Sequence, residues 1–535
     1  MKQQQKGRPR TNGAVPPSAA ARRDSEARRL FDALLPTGGE RVPYGALFAA
    51  LDRAGVRRGD PRLAASAARL DALEPGRDLG YEEFAEVVQP NLLLIDRLLS
   101  GRAIIPEFAD FAGEMRRIFD DIRPERGGLV ADYIPQLSRV DGDQFGMALC
   151  TIDGQRLSFG DAAVDFTLQS ANKPVTYCLA LEEHGADVVH RHVGCEPSGA
   201  SFNELALNRE GLPHNPMINA GAILSGSLIR PGASRADRFE HVVDTWRRLS
   251  GQVKPNFSNS TYLSERQTAD RNFALGYSMR ESGAFPAGTD VVEAVEFYMQ
   301  CCSIEVKAET LSVVAATLAN GGVCPTTGER VLQAETVQNC LSLMGSCGMY
   351  DFSGSWAFAV GLPAKSSVSG VIWVVVPNVM GLCVWSPRLD SFGNSVRGVA
   401  LCRELVRTFN FHGFDGLAGG RQDKQDPRRG RVATKSDDVL TFCWAASEGD
   451  LVALRHLVAR GVPPGGADYD GRTPLHLAAS EGRLEAVEYL LGLGTPPSPR
   501  DRWGGTPLDD AVRGGHAEVE ALLQRCGAAG GADAA

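Results

Sequence analysis

Ser170 and Lys173 stand three residues apart in Phe166-Thr167-Leu168-Gln169-Ser170-Ala171-Asn172-Lys173-Pro174, followed by a helix-compatible run, Val175 to His184. Proline is tolerated in the first turn of a helix, so Ser170 is expected at or just before a helix N-terminus. Residues three apart on a helix share a face, which lets Lys173 reach the Ser170 hydroxyl. A serine hydroxyl is a weak nucleophile without a base, and an amine held in a dry pocket loses its proton readily enough to act as one. The helix N-terminus favours negative charge developing near it. The chemistry implied is acyl transfer through a serine ester. The pair alone is weak evidence, because Ser and Lys at this spacing are common.

The surrounding segments must hold that pair. Phe145 to Thr151 and Gln155 to Phe159 alternate about Asp153-Gly154, which predicts a hairpin. Val371 to Val376 and Leu382 to Trp385 flank Pro377-Asn378 and predict a second. Long helical stretches lie between, among them Val291 to Cys302 and Leu311 to Ala319. Strands first, helices in the middle and strands last imply an α+β domain with helices against a mainly antiparallel sheet.

At 535 residues the chain exceeds one ordinary core, so two to four domains are expected. A net charge of −9 argues against nucleic-acid binding. None of the twelve cysteines forms a C-x-x-C pair or a zinc-spaced cluster, so buried free thiols in a reducing compartment are expected and no metal site. Val371 to Val376, the longest strongly apolar run, is far too short to span a membrane.

Residues 1–23 are basic, with no acid before Asp24 and no apolar core of a secretory signal, and read as a disordered tail. The address expected is cytoplasmic, or mitochondrial if that tail is a transit peptide. From 24 to 103 four apolar stripes at helical spacing are broken by Pro36-Thr37-Gly38-Gly39 and Glu74-Pro75-Gly76. This resembles a pair of EF-hands. With Leu79 at the usual apolar position, Ala72 and Gly76 stand where the calcium loop needs carboxylates. The reading is an EF-hand-like all-α module without calcium.

A longer set of motifs names a family. Glu196-Pro197-Ser198-Gly199, Phe202-Asn203 and Leu212-Pro213-His214-Asn215-Pro216-Met217-Ile218-Asn219-Ala220-Gly221-Ala222 closely resemble the serine-dependent glutaminases. So do Asp132-Tyr133-Ile134-Pro135-Gln136-Leu137, Ser264-Glu265, Arg271-Asn272, Tyr298, Cys347-Gly348-Met349-Tyr350-Asp351 and Gly393-Asn394-Ser395-Val396-Arg397-Gly398. The resemblance covers 104–414 and implies a β-lactamase/transpeptidase-like fold whose third motif corresponds to Lys365-Ser366-Ser367.

It also implies hydrolysis of L-glutamine to L-glutamate and ammonia, with Ser170 as nucleophile, Lys173 as base and Tyr350 as proton shuttle. Substrate contacts would come from Tyr133, Ser170, Asn219, Glu265, Asn272, Tyr298, Tyr350 and Val368. Of these, Glu265 binds the amino-acid end, and the Ser170 and Val368 N–H groups form the oxyanion hole. A zwitterionic amino acid needs just such a set: one charged acceptor with neutral hydroxyls and amides. No cofactor or metal is implied. A β-lactam-processing hydrolase of the same fold fits the Asn219, Glu265 and Asn272 set less well, and His214, between two prolines, reads as structural. The family usually places Gly after its Lys-Ser, where this chain has Ser367, and a glycine-rich stretch where it has Val371. Both are expected to narrow the site or displace the Val368 N–H, so Ser367→Gly is expected to raise turnover.

Residues 415–437 are polar and Gly-rich and read as a flexible linker. Beyond it a period emerges. Ala445-Ala446-Ser447-Glu448-Gly449 recurs 33 residues on as Ala478-Ala479-Ser480-Glu481-Gly482, and Thr473-Pro474-Leu475 recurs at the same interval as Thr506-Pro507-Leu508. Period and motif resemble ankyrin repeats over 438–528, before a disordered tail at 529–535. Such a stack is all-α and commonly offers a face to protein partners. A homo-oligomer, dimer or tetramer, is implied by the glutaminase resemblance.

Overall fold

The computed structural model describes residues 19–199, 204–416, 424–428, 431–459 and 462–528. The chain divides between residues 103 and 104 into two compact units. Most of the basic tail, 1–18, lies outside the described residues, as do the Ala200–Asn203 motif stretch and the 529–535 tail. The first helix, Ala19–Leu34, begins inside the segment expected to be tail.

In the N-terminal unit, helices Ala19–Leu34, Ala46–Arg53, Ala64–Asp71, Tyr81–Val88 and Leu92–Leu99 enclose a core that includes Phe31, Leu51, Leu63, Phe84 and Ile95. The two loops are joined as paired EF-hand loops are. Val42 and Leu79 exchange N–H···O bonds of 2.9 and 2.8 Å in an antiparallel bridge.

The second unit is built on a five-stranded antiparallel sheet. Its order is Arg156–Gly160, Gly146–Thr151, Met380–Trp385, Val371–Val376, Ala364–Ser366. Every residue of Val371–Val376 is buried, because both faces of the sheet are covered. Val371, Trp373 and Val375 face a core shared with the central helices; Ile372, Val374 and Val376 face one shared with Phe108–Ile122 and Val396–Thr408. Against the first face lies the helix Ala308–Ala319. It comes so close that a Cβ on Gly381 would sit 2.2 Å from the Ala316 nitrogen, so the strand needs glycine there. Both predicted hairpins form, turning at Gly154 (φ 78°) and Asn378 (φ 60°). A smaller antiparallel sheet, Phe166–Thr167, Ile304–Val306, Asn256–Phe257, leads directly into Ser170.

Toward the C-terminus the helices pair as Arg431–Glu448 with Leu451–Ala459, Pro474–Ser480 with Leu484–Gly492, and Pro507–Gly514 with Ala517–Arg525. The Thr-Pro-Leu-His start has a local cause. The His476 Nδ1 accepts the Thr473 N–H at 3.1 Å and stands 3.0 Å from its hydroxyl, capping the helix that Pro474 begins.

The expected linker needs correction. Residues 417–423 and 429–430 lie outside the described residues, but Gln425 is bonded to the core: its N–H donates to the Thr408 carbonyl at 2.9 Å and its carbonyl accepts the Asn410 N–H at 3.0 Å. Lys424 pairs with Asp415 at 2.7 Å, and a helix already starts at Arg431. Polar composition indicated solvent exposure, which a short segment satisfies equally well by pairing its backbone with a neighbour.

Candidate active site

Ser170 sits in a short 3₁₀ turn, Gln169–Asn172, between a strand and a helix. The strand is anchored by the Leu168 N–H, which donates to the Ile304 carbonyl at 2.8 Å. Gln169 then takes φ 48°, a conformation uncommon for any residue but glycine. The helix Lys173–His184 follows at once, and its residues Lys173 to Leu181 are all buried. Surrounded by protein, the turn and the helix carry the serine and the lysine to the interior: Ser170 is 5 % exposed and Lys173 1 %.

The Lys173 Nζ donates to Asn219 Oδ1 at 2.7 Å. The same oxygen accepts the Tyr298 hydroxyl at 3.0 Å, and Asn219 Nδ2 donates to Asn272 Oδ1 at 3.1 Å. These are neutral partners. Burial therefore dominates the ammonium and lowers Lys173 from 10.5 to about 7, opposed weakly by the Cys302 thiol. A lysine at that value is substantially neutral at physiological pH.

A cavity of about 410 Å³ opens over Ser170, lined also by Tyr133, Gln169, Asn219, Glu265, Thr268, Arg271, Asn272, Tyr298 and Val368. Glu265 is 7 % exposed and accepts the Tyr133 hydroxyl at 2.6 Å, while Gln169 Oε1 takes a second, longer contact from that hydroxyl at 3.3 Å. Burial raises the carboxyl above its ordinary value, and the Tyr133 hydroxyl and Gln169 side chain pull it back. Tyr133 is about half exposed as a residue, but its hydroxyl is turned in against Glu265, and that enclosure with the carboxylate's charge raises the phenol and keeps it the donor.

Seven of the residues expected at the substrate thus share one cavity: Tyr133, Ser170, Asn219, Glu265, Asn272, Tyr298 and Val368. Lys173 and Tyr350 are not on its wall. Lys173 lies behind Asn219. Tyr350, at φ 56°, opens the short turn Tyr350–Phe352, with the Ser170 hydroxyl and the Val368 N–H close enough to favour its ionised form. Burial outweighs both and pushes the phenol well up, so it remains protonated. Lys365 also stays off the wall. Its Nζ donates to the carbonyls of Ser366 at 2.7 Å and Gly348 at 3.2 Å and lies 4.5 Å above the Tyr350 ring, where it braces that turn. His214 does not line the cavity either; its carbonyl accepts the Glu196 N–H at 3.0 Å.

Three lining residues were not anticipated: Gln169, Thr268 and Arg271. Gln169 and Arg271 each adjoin a predicted site residue and were passed over for it. Nothing in the local sequence marks Thr268.

The arrangement offers a buried serine hydroxyl at the cavity, a buried lysine three residues on that burial shifts toward its neutral form, and a pocket holding one carboxylate, one guanidinium and several neutral donors. Comparison with known proteins agrees. Residues 128–414 match the glutaminase family, 442–533 the ankyrin repeats and 27–106 the EF-hand domain. The mitochondrial liver isoform of glutaminase from Rattus norvegicus is 46% identical over 457 residues, covering 84% of this chain and 76% of the relative. A glutaminase of Nostoc sp. is 45% identical over 294 residues, covering 55% of this chain and 87% of its own. Among solved structures, a probable glutaminase of Bacillus subtilis superposes with a TM-score of 0.52 at 31% identity, covering 56% of this chain and 96% of that one.

Proposed function

The chain belongs to the glutaminase family and is an enzyme that hydrolyses glutamine to glutamate, and from that premise we propose how its residues divide the work. Neutral Lys173 accepts the Ser170 proton while its N–H bond to Asn219 keeps the lone pair directed at the hydroxyl. The Ser170 oxygen attacks the side-chain amide carbon of glutamine. The carbonyl oxygen gathers negative charge, taken up by the N–H groups of Ser170 and Val368. Tyr350, beside Ser170, passes a proton to the departing ammonia and is reprotonated from Lys173. Water, deprotonated by Lys173 in turn, then cleaves the glutamyl ester and restores the serine.

The pocket recognises the other end of the substrate. Glu265, whose carboxyl accepts the Tyr133 hydroxyl at 2.6 Å, takes the α-ammonium. Arg271 and the Asn272 amide face the α-carboxylate. Asn219, whose side-chain oxygen already accepts from both Tyr298 and Lys173, leaves little freedom for the base to swing away.

The observation that carries this reading is the burial of Lys173 three residues after Ser170, behind the cavity and bonded to the neutral Asn219, a setting that lowers its pKa to about 7. Ammonia release from glutamine by wild type, Ser170→Ala and Lys173→Ala, with asparagine and a chromogenic β-lactam alongside, tests it. Glutamine turnover should vanish in the first variant and nearly vanish in the second, because losing either member of a nucleophile–base pair removes most of the same effect. Near-normal turnover in Ser170→Ala would refute it.

All twelve thiols are free, which supports a reducing compartment, cytoplasm or mitochondrial matrix. Among the described residues no helix is long and apolar enough to cross a membrane. We place a protein partner on the ankyrin repeats and carry over a dimer or tetramer from the family resemblance.

A further inference from the structure

The turn that carries Val368 has a serine on either side of it. Steric interference is not what these side chains do. Ser367 is fully buried and is not among the left-handed residues. The left-handed position of the turn is Gly370, at φ 87°, where a Cβ would fall 2.5 Å from Pro387 Cα. Ser367 therefore has no need of glycine's freedom.

Its hydroxyl has one proton, donated to the Leu168 carbonyl at 2.8 Å, a residue 199 positions away in sequence. With that proton committed, the 3.1 Å contact to Ser369 Oγ must be a bond donated by Ser369, whose N–H makes a weaker approach at 3.4 Å. The Ser369 carbonyl in turn accepts the Trp385 indole N–H at 2.9 Å. At the other end, the Leu168 carbonyl also accepts the Ala171 N–H at 2.8 Å, closing the turn that contains Ser170.

The result is a continuous buried strap: Trp385, Ser369, Ser367, Leu168, Ala171. The proposed oxyanion donors are the N–H groups of Ser170, between Leu168 and Ala171, and of Val368, between Ser367 and Ser369. They lie on segments far apart in the chain, and an oxyanion hole works only when both stand about 2.7–3.1 Å from one oxygen. We propose that Ser367, seconded by Ser369, is a positioning residue for glutamine hydrolysis, its hydroxyl fixing the separation of the two donor N–H groups. This rests on the assignment of Ser170 and Val368 given above.

The test is steady-state glutamine hydrolysis by the full chain, comparing wild type, Ser367→Ala, Ser367→Gly, Ser367→Cys, Ser369→Ala and Ser170→Ala, each with its thermal unfolding midpoint. Removing a whole oxyanion donor costs about 10²–10³ in kcat, and a misplaced one costs less. Ser367→Ala should lose about five- to fiftyfold in kcat with KM within about twofold, the mark of an interaction made in the transition state. Ser367→Gly should be no better than Ser367→Ala, and Ser367→Cys, a weaker donor, should fall between Ser367→Ala and wild type. Ser369→Ala should lose about two- to fivefold. Unchanged kcat in folded Ser367→Ala, or a rise in Ser367→Gly, overturns the strap. If Ser367→Ala fails to fold, Ser369→Ala decides, and an unchanged kcat there overturns it. Turnover surviving in Ser170→Ala would instead strike the underlying assignment.

Discussion

Replacing Asn219 by Asp changes one atom and little shape, yet places a carboxylate where the structure has a neutral oxygen 2.7 Å from Lys173 Nζ. Asn219 is 7 % exposed, so water screens the new charge poorly. An opposite charge at this distance favours the ammonium and should raise Lys173 from about 7 into roughly the 8–10 range. The consequence follows from the neutral fraction. At about pH 7 half of the wild-type lysines are free to act as base; in the variant the fraction falls to between about 10% and 0.1%. kcat/KM at that pH should therefore drop about five- to five-hundredfold.

The assay is kcat/KM for glutamine across about pH 6 to 10 on both proteins. The base must be neutral, so the wild-type profile should rise with pH, gaining about tenfold between about pH 6 and 8 and then levelling. The variant's rise should be displaced to higher pH, and its deficit should shrink as pH approaches the raised value. A uniform deficit at all pH would mean that Asn219 acts only through substrate contact. An undisplaced midpoint would refute the claim that the limb reports Lys173.

Glu265→Gln keeps the shape of the acceptor for Tyr133 but removes the charge proposed to meet the α-ammonium; about a ten- to hundredfold rise in KM is expected, with a smaller change in kcat. An unchanged KM would move the ammonium elsewhere. A fragment of residues 104–428 should fold and keep kcat within about twofold of the full chain, since it retains Gln425 on the core; circular dichroism and ammonia release check it. A fragment ending at Gly416 loses the Lys424–Asp415 pair and the Gln425 bonds and should unfold a few degrees lower, about 2–4 °C per kcal/mol lost.

Placement was legible where the residues concerned are neighbours in sequence. The pair Ser170 and Lys173, the hairpins about Gly154 and Asn378, and the 33-residue period need only local spacing. The pocket wall is assembled from distant segments. Tyr133 meets Glu265 across 132 positions and Lys173 meets Asn219 across 46, and no periodicity encodes such contacts. Family motifs brought those residues together on paper, but not their depth, so Tyr350 was expected to touch substrate and is not on the cavity wall. Ser367 shows the same limit. Judged against a glycine it looked like an obstruction, whereas its Leu168 partner is invisible without the fold. The 415–437 stretch was read from average polarity, and the backbone pairing of Gln425 is a specific contact that averages do not report.

A covalent glutamyl ester at Ser170 is the step on which the proposed reaction depends. Wild-type protein mixed with glutamine and acid-quenched within the first turnover should carry one glutamyl group. Peptide mass mapping should place it on the segment containing Ser170, with none on Ser170→Ala or on any other serine. Full turnover by wild type without a detectable adduct, or an adduct that maps to a residue other than Ser170, would contradict it.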